Sequence, residues 1–217
     1  MYTSTTVIPP KPRLRGALHF LAFLCAIPGA MYLLVSPSSL SWSMGIYAFS
    51  LMGLFGISAL YHRIEWSPRV YDWLGIVDRV MIYVFIAANC TPFVVFAVTD
   101  PLSTMLLSVL WGSVLLGVIV NLFFLNSANW IHSVLYVAVG GACALGIPQL
   151  AANLGSTAMF WIILGGAVHV IGAVLYALRK PNPIPDWFEF HEVFHLCVTA
   201  AICIHYGVVV SYLVPVA

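Results

Sequence analysis

Charge is what this sequence has least of. Lys and Arg number 8 and Asp and Glu 7 in 217 residues, or 7% of the chain, where soluble domains carry about 25%. So few ions cannot clothe a water-solvated surface. A net charge of +1 gives no sign of a nucleic-acid partner. There is no internal repeat at a fixed period and no low-complexity segment, which sets aside solenoids and disordered arrays. The cysteines do not suit a disulfide scaffold. Cys25, Cys90, Cys143, Cys197 and Cys203 all lie inside apolar runs and read as small hydrophobes. Downstream of His195 there is no acidic residue, so a metal site there has no later carboxylate to draw on.

Apolar residues fill the chain instead. They make up 62% of it, against about 45–50% in soluble domains, and they gather into seven runs. The runs cover residues 16–35, 42–61, 74–98, 102–125, 130–147, 157–178 and 193–214, each near the ~20 residues a helix needs to cross the hydrocarbon core. The expected fold is an all-α integral membrane protein, a seven-transmembrane helix bundle forming one domain over 17–217. A polar, proline-rich tail over 1–16 is expected to be flexible and cytoplasmic. The first run continues past Ala30 without a small-residue cleavage site, so it reads as a span and not as a removed signal peptide. Between the runs stand turn signals at 36–39, 99–101 and 126–129, an amphipathic loop at 63–73, a polar connection from Pro148 to Ser156, and a proline-rich loop at 179–190. Pro92, inside the third run, is expected to kink it.

Orientation follows from the basic residues. Counting seven spans from a cytoplasmic N-terminus puts Lys11, Arg13, Arg15, Arg63, Arg69, Arg79, Arg179 and Lys180 all inside, with none outside. This alternation predicts an N-terminus in the cytoplasm and a C-terminus outside, and the expected location is the cell's plasma membrane. It also brings the end of span two and the starts of spans three and seven to one depth. His62, Asp78, His191 and His195 share that depth, and ionisable residues in spanning helices face the bundle interior.

His191-Glu192-Val193-Phe194-His195 has the H-E-x-x-H spacing of zinc hydrolases. Histidines at i and i+4 share a helix face and can reach one ion. The plain alternative is a pair of interfacial histidines near a helix start. A catalytic zinc takes three protein ligands and leaves a position for water. His205 is about 15 Å further along the same helix, so the third ligand is expected upstream, and His62 has the right depth. Asp78 or Glu192 could orient the water. The plain alternative for Asp78 is pairing with Arg79 or with the start of its own helix, and Glu192 is turned about 100° from His191 on an ideal helix, toward the headgroups. Ser58, one turn before His62, could hold a substrate oxygen or the water, although such serines more often bond their own helix's carbonyl. His19 and His132 are secondary candidates for lining a cavity. His169 and His205 read as hydrogen-bonded within the bundle, and Gly140-Gly141 and Gly165-Gly166 as close helix contacts.

Ser58-Ala59-Leu60-Tyr61-His62, Asp78, Thr91-Pro92-Phe93, and Tyr176 through the proline-rich loop to His191-Glu192-Val193-Phe194-His195 together resemble the hemolysin III family. That family stands within the progestin and adipoQ (adiponectin) receptor superfamily and shares motifs with alkaline ceramidases. The resemblance covers spans two to seven. It implies seven helices around a zinc held by three histidines near the cytoplasmic side, with the aspartate reaching the metal through water. On this chain those roles fall to His62, His191, His195 and Asp78, with Ser58 in the same polar shell. Arg79 departs from the histidine expected after the aspartate, which makes an Asp78–Arg79 ion pair an alternative to a free carboxylate.

Several functions compete on this reading. The leading expectation is a zinc-dependent membrane hydrolase acting on a lipid amide or ester from the cytoplasmic leaflet, ceramidase-like, with membrane lipid as partner and a role in lipid homeostasis. The others are a receptor or regulatory protein with a structural zinc, a hemolysin-like pore or a transporter, and an intramembrane metalloprotease. Very short outer loops argue against sensing a protein hormone. The missing downstream acid argues against the protease, and the absence of a midplane acid argues against the transporter.

Overall fold

The structure, a computed structural model, describes residues 11–36, 41–123 and 129–215. Among these residues seven α-helices follow in chain order: α1 (Ala17–Val35), α2 (Ser41–Arg63), α3 (Pro68–Ala97), α4 (Leu102–Phe123), α5 (Asn129–Gly141), α6 (Ile147–Leu178) and α7 (Phe190–Val208). A 3-10 turn, Ala142–Gly146, joins α5 to α6, and a π turn, Val209–Leu213, extends α7. No strand occurs among the described residues beyond one isolated bridge, Ile184 to Phe188.

The packing is that of helices in lipid. Large apolar side chains point outward, among them Leu115, Phe123 and Leu178, while small and aromatic residues meet inside. Ala30, Ala48, Ala87 and Ala88 are fully buried beside Tyr47 and Tyr83. Gly117 lies so close to the Tyr83 ring that a Cβ there would overlap it. With no water to exclude, such close approach is what favours helix association in a bilayer. Among the described residues six stretches are long and apolar enough to cross a membrane: 17–35, 42–63, 68–97, 102–123, 130–178 and 190–213.

Several expected boundaries are corrected. The second half of the 63–73 loop is helical, because Pro68 opens α3 at its first turn, where a missing N–H and a fixed φ fit the helix. The polar connection at 148–156 is helical too, with Pro148 in the first turn of α6. The chain bends instead at Gly155, whose φ of 77° and ψ of 171° no side chain readily adopts. The expected fifth run ends early at Gly141 and tightens into the 3-10 turn. The 49-residue apolar stretch 130–178 therefore contains a break. Its two ends lie at one end of the bundle, since Tyr136 donates from its hydroxyl to Arg79 O at 3.2 Å and the Tyr176 ring stands 5.5 Å from that of His191. Its middle lies at the other. There Gln149 accepts from the backbone N–H of Thr99 at 2.7 Å, and Asn153 donates to Ala97 O at 3.0 Å.

Residues 11–16 belong to the stretch expected to be a loose tail, yet they are tied down. Arg13 and Leu14 donate their backbone N–H groups to Asp186 O (3.0 Å) and Trp187 O (3.2 Å). The Arg13 guanidinium sits 4.3 Å over the Trp187 ring, and Lys11 donates to Tyr61 O and Ile64 O. Residues 1–10, 37–40 and most of the 126–129 turn lie outside the described residues.

Of the glycines expected at close contacts, only Gly165 is one, against the His205 ring. Gly140, Gly141 and Gly166 border a cavity instead, where lacking a side chain widens the space.

Candidate metal centre

The start of α7 is fixed by its own acids. Glu189 stands before the helix, and its backbone N–H donates to Glu192 Oε2 at 2.9 Å while its side chain caps the opposite way. This reciprocal cap satisfies two donors left over at the helix start. It sets His191 and His195 on the first two turns, facing α2. The acid within H-E-x-x-H is thus committed to holding the helix. Glu192 is 1% exposed, turned neither to the headgroups nor to the histidines, and its Oε1 stands 2.5 Å from Arg15 Nε. The two chains meet as charges inside the protein, where removing one partner strands the other.

Helix α2 supplies His62 near its last turn, and the three expected histidines converge. One ligand nitrogen from each of His62, His191 and His195 lies within 4.8 Å of the other two. His62 Nε2 and His191 Nε2 stand 3.2 Å apart. Two nitrogens held at ~2.0–2.1 Å by one tetrahedral zinc are separated by roughly 3.3–3.4 Å. The His195 ring completes the group, its centroid 4.5 Å from that of His191 and 5.2 Å from that of His62, and its buried Nδ1 has no hydrogen-bond partner. Imidazole nitrogens aimed at one another, with one buried nitrogen unpartnered, are a donor set that fits a divalent cation such as zinc.

Asp78 enters from α3. Its Oδ2 lies 3.8 Å from His62 Nε2, the closest ion-pair approach that this carboxylate makes among the described residues. Arg79 is turned away, donating from Nε to Asn121 Oδ1 at 2.6 Å. The Asp78–Arg79 pair that the sequence left open is not formed. Ser58 does not bond its own helix; its Oγ shares a 2.8 Å hydrogen bond with His19 Nδ1. His19, a secondary candidate on the sequence, belongs at the centre of the group, stacked face to face on His195 at 3.7 Å and an interplanar angle of 9°. Its signal was its depth, one turn inside α1 at the basic end of the chain.

Behind these groups a cavity of about 410 Å³ runs into the bundle. His19, Ser58, Asp78, His191 and His195 stand at its head, and His132 lines it as well. Further in, its walls are mostly apolar, with Ile82, Phe85, Val170 and Val198 among them. His205 and His169 hydrogen-bond within the bundle as expected, to Ile162 O and Gly165 O. A largely apolar cleft with the histidine group at its head suits an apolar chain bearing a polar head.

Comparison with known proteins finds relatives over most of the chain. The chain is 26% identical to hemolysin-3 of Bacillus cereus over 204 residues, covering 92% of this chain and 90% of the relative. It is 25% identical to the human monocyte to macrophage differentiation factor over 172 residues, covering 77% and 69%. A shorter stretch of 51 residues, 21% of this chain and 12% of the relative, is 41% identical to the adiponectin receptor protein of Drosophila melanogaster. The family model described as haemolysin-III related matches residues 8–206, nearly the whole chain. With its apolar helices and its buried histidine group, this chain is a multi-pass membrane protein that belongs to the haemolysin-III related family.

Proposed function

We propose that this protein is a zinc-dependent hydrolase of the plasma membrane, cleaving an amide or ester bond of a membrane lipid taken from the cytoplasmic leaflet. The observation that carries the reading is the convergence of His62, His191 and His195 beside Asp78 at the head of a largely apolar cavity. Zinc held by the three histidines would supply Lewis-acid activation of the carbonyl and of water. The chain's own groups divide the remaining work. Asp78, free of Arg79, accepts the proton of the attacking water and returns it to the departing nitrogen or oxygen. Ser58, steadied by His19, donates a hydrogen bond to the lipid head. The apolar walls hold the acyl chain and exclude bulk water. Glu192 is no base here, because both its oxygens serve Arg15 and the helix cap.

The same reading includes seven crossings, with the N-terminus in the cytoplasm and the C-terminus outside. It is supported by the break at Gly155 and by the opposite levels of Gln149 and Tyr176. It is supported as well by Lys11, Arg13 and Arg15 lying beside the loops at 61–64 and 186–187. A second reading, a receptor in which zinc is structural, is favoured by the relative named an adiponectin receptor protein.

The deciding experiment measures zinc content together with turnover of acyl-amide and acyl-ester lipids by purified protein in nanodiscs. About one zinc per chain is expected, as one three-histidine site requires, lost in His191→Ala and His195→Ala, with release of free fatty acid that Asp78→Asn abolishes. Zinc without turnover of any lipid favours the receptor. Metal content indifferent to either histidine rejects the centre.

A further inference from the structure

Deep in the cavity stands a second polar group that the proposed hydrolysis does not use. Asn89 of α3 and His205 of α7 are both more than nine-tenths buried, and both line the cavity together with His169 of α6. Their hydrogen bonds fix which atoms are spoken for. His205 Nε2 donates to Ile162 O at 3.1 Å, so in the neutral ring Nδ1 is an acceptor. The atom of Asn89 facing that Nδ1 at 3.1 Å must then be the amide nitrogen, which leaves the carbonyl oxygen, Oδ1, buried and without a partner. His169 repeats the pattern. Its Nδ1 donates to Gly165 O at 3.2 Å, so its Nε2 is left as an acceptor, on a ring 5.6 Å from that of His205. Both acceptors belong to residues that line the cavity, and Asn89 Oδ1 is the one that is buried without a donor. A buried unmet acceptor is costly, and a hydroxyl on a bound molecule removes that cost.

The separation from the histidine centre sets where the hydroxyl must be. His205 follows His195 by ten residues on one helix, about 15 Å at 1.5 Å per residue. An extended chain advances roughly 1.2 Å per bond, as a polypeptide does at ~3.3–3.6 Å for three. On the order of a dozen carbons therefore separate a carbonyl at the head of the cavity from a group at Asn89.

We propose that Asn89 Oδ1, with His169 Nε2 as the alternative acceptor, takes the hydrogen bond of a mid-chain hydroxyl, so that the cavity prefers an acyl chain hydroxylated about twelve carbons from its carbonyl carbon. The proposal rests on the cavity being a lipid site and is independent of whether the bound lipid is hydrolysed. A carbonyl or ether at the same carbon gains nothing, because it brings a third acceptor.

The test is displacement of a fluorescent fatty acid from purified protein in detergent by three competitors. They are stearic acid, stearic acid hydroxylated beside the carboxyl, and stearic acid hydroxylated at about the twelfth carbon. The last should bind roughly three- to tenfold more tightly than the other two, the yield of one net hydrogen bond. Asn89→Leu should erase that preference while leaving affinity for stearic acid within about twofold, and His169→Phe should reduce it, which covers the case of a poorly folded Asn89 variant. Equal binding of the three acids, no binding of any, or a preference that survives both substitutions overturns the proposal. Turnover scored in parallel separates the two readings. Selective binding without hydrolysis overturns only the hydrolase, whereas hydrolysis without selectivity overturns only the hydroxyl site.

Discussion

Asp78 and Glu192 are two carboxylates near the same histidines, and their surroundings differ. Glu192 is paired with Arg15 and caps α7, so Glu192→Gln should act on stability. Breaking a buried ion pair from one side costs about 3–5 kcal/mol, and the expected result is a clearly lowered melting temperature with zinc content and turnover per folded molecule retained. Among the described residues the ion-pair contact of Asp78 is with His62 of the histidine group. Asp78→Asn should leave melting nearly unchanged while weakening zinc retention by about 10–100-fold, as loss of a carboxylate beside a metal ligand does, and abolishing lipid turnover. Thermal unfolding, metal content and turnover measured on both variants decide it, and an inactive Glu192→Gln beside an active Asp78→Asn would reverse the assignment. The convergence of His62, His191 and His195 was legible in the sequence because i, i+4 spacing and depth are both one-dimensional properties. The capping role of Glu192 was legible too, in the E-x-x-E spacing at the start of α7, but the H-E-x-x-H pattern overlaps it and draws the same acid toward catalysis. Its partner Arg15, 177 positions away, could not be found from spacing.

At the scale of elements, two glycines do what no other residue could. Gly155 lets α6 change direction at φ 77° and ψ 171°, a region closed to side chains. A Cβ there would meet nothing within 4 Å, so Gly155→Ala should cost about 1–3 kcal/mol for backbone conformation alone. Gly141→Ala is the control: it has helical angles and equal room, and should be neutral or stabilise by up to about 1 kcal/mol. Thermal unfolding of both variants in detergent checks the contrast, and equal melting temperatures would mean the chain does not bend at Gly155. Gly16 combines conformation with crowding. Its φ is 75° and a Cβ would lie 2.7 Å from His62 Cβ, so Gly16→Ala should displace His62 and lower zinc retention. Unaltered metal content in a folded Gly16→Ala protein would separate the N-terminal strap from the centre. Apolar run length located α1 and α4 almost to the residue, because lipid imposes it. It misplaced the joins around α5 and α6, where Pro148 starts a helix and Gly155, read as part of a polar connection, makes the turn.

Across the whole molecule, the parity of crossings turns on residues 130–178. A straight helix of 49 residues would be about 73 Å long, more than twice the ~30 Å hydrocarbon core. Two crossings with a turn near Gly155 fit that core, and they leave Gln149 and Asn153 bonded to the end of α3 at the face opposite Asp78. The basic residues agree, since Arg15, Lys11 and Arg13 all bond at the end of the bundle that holds His62 and His191. With seven crossings that end faces the cytoplasm, where Lys and Arg are retained. A cysteine at the exposed Ala151 should therefore react with an impermeant thiol reagent added outside intact cells. A reporter fused after Ala217 should also be outside, and one in the 179–190 loop inside. Six crossings would bury position 151 in the bilayer and return the C-terminus to the cytoplasm, so an unlabelled Ala151→Cys with an internal C-terminal reporter would reject seven. That outcome would also carry His191 and His195 to the face away from His62, which the 3.2 Å approach of His191 Nε2 to His62 Nε2 does not allow.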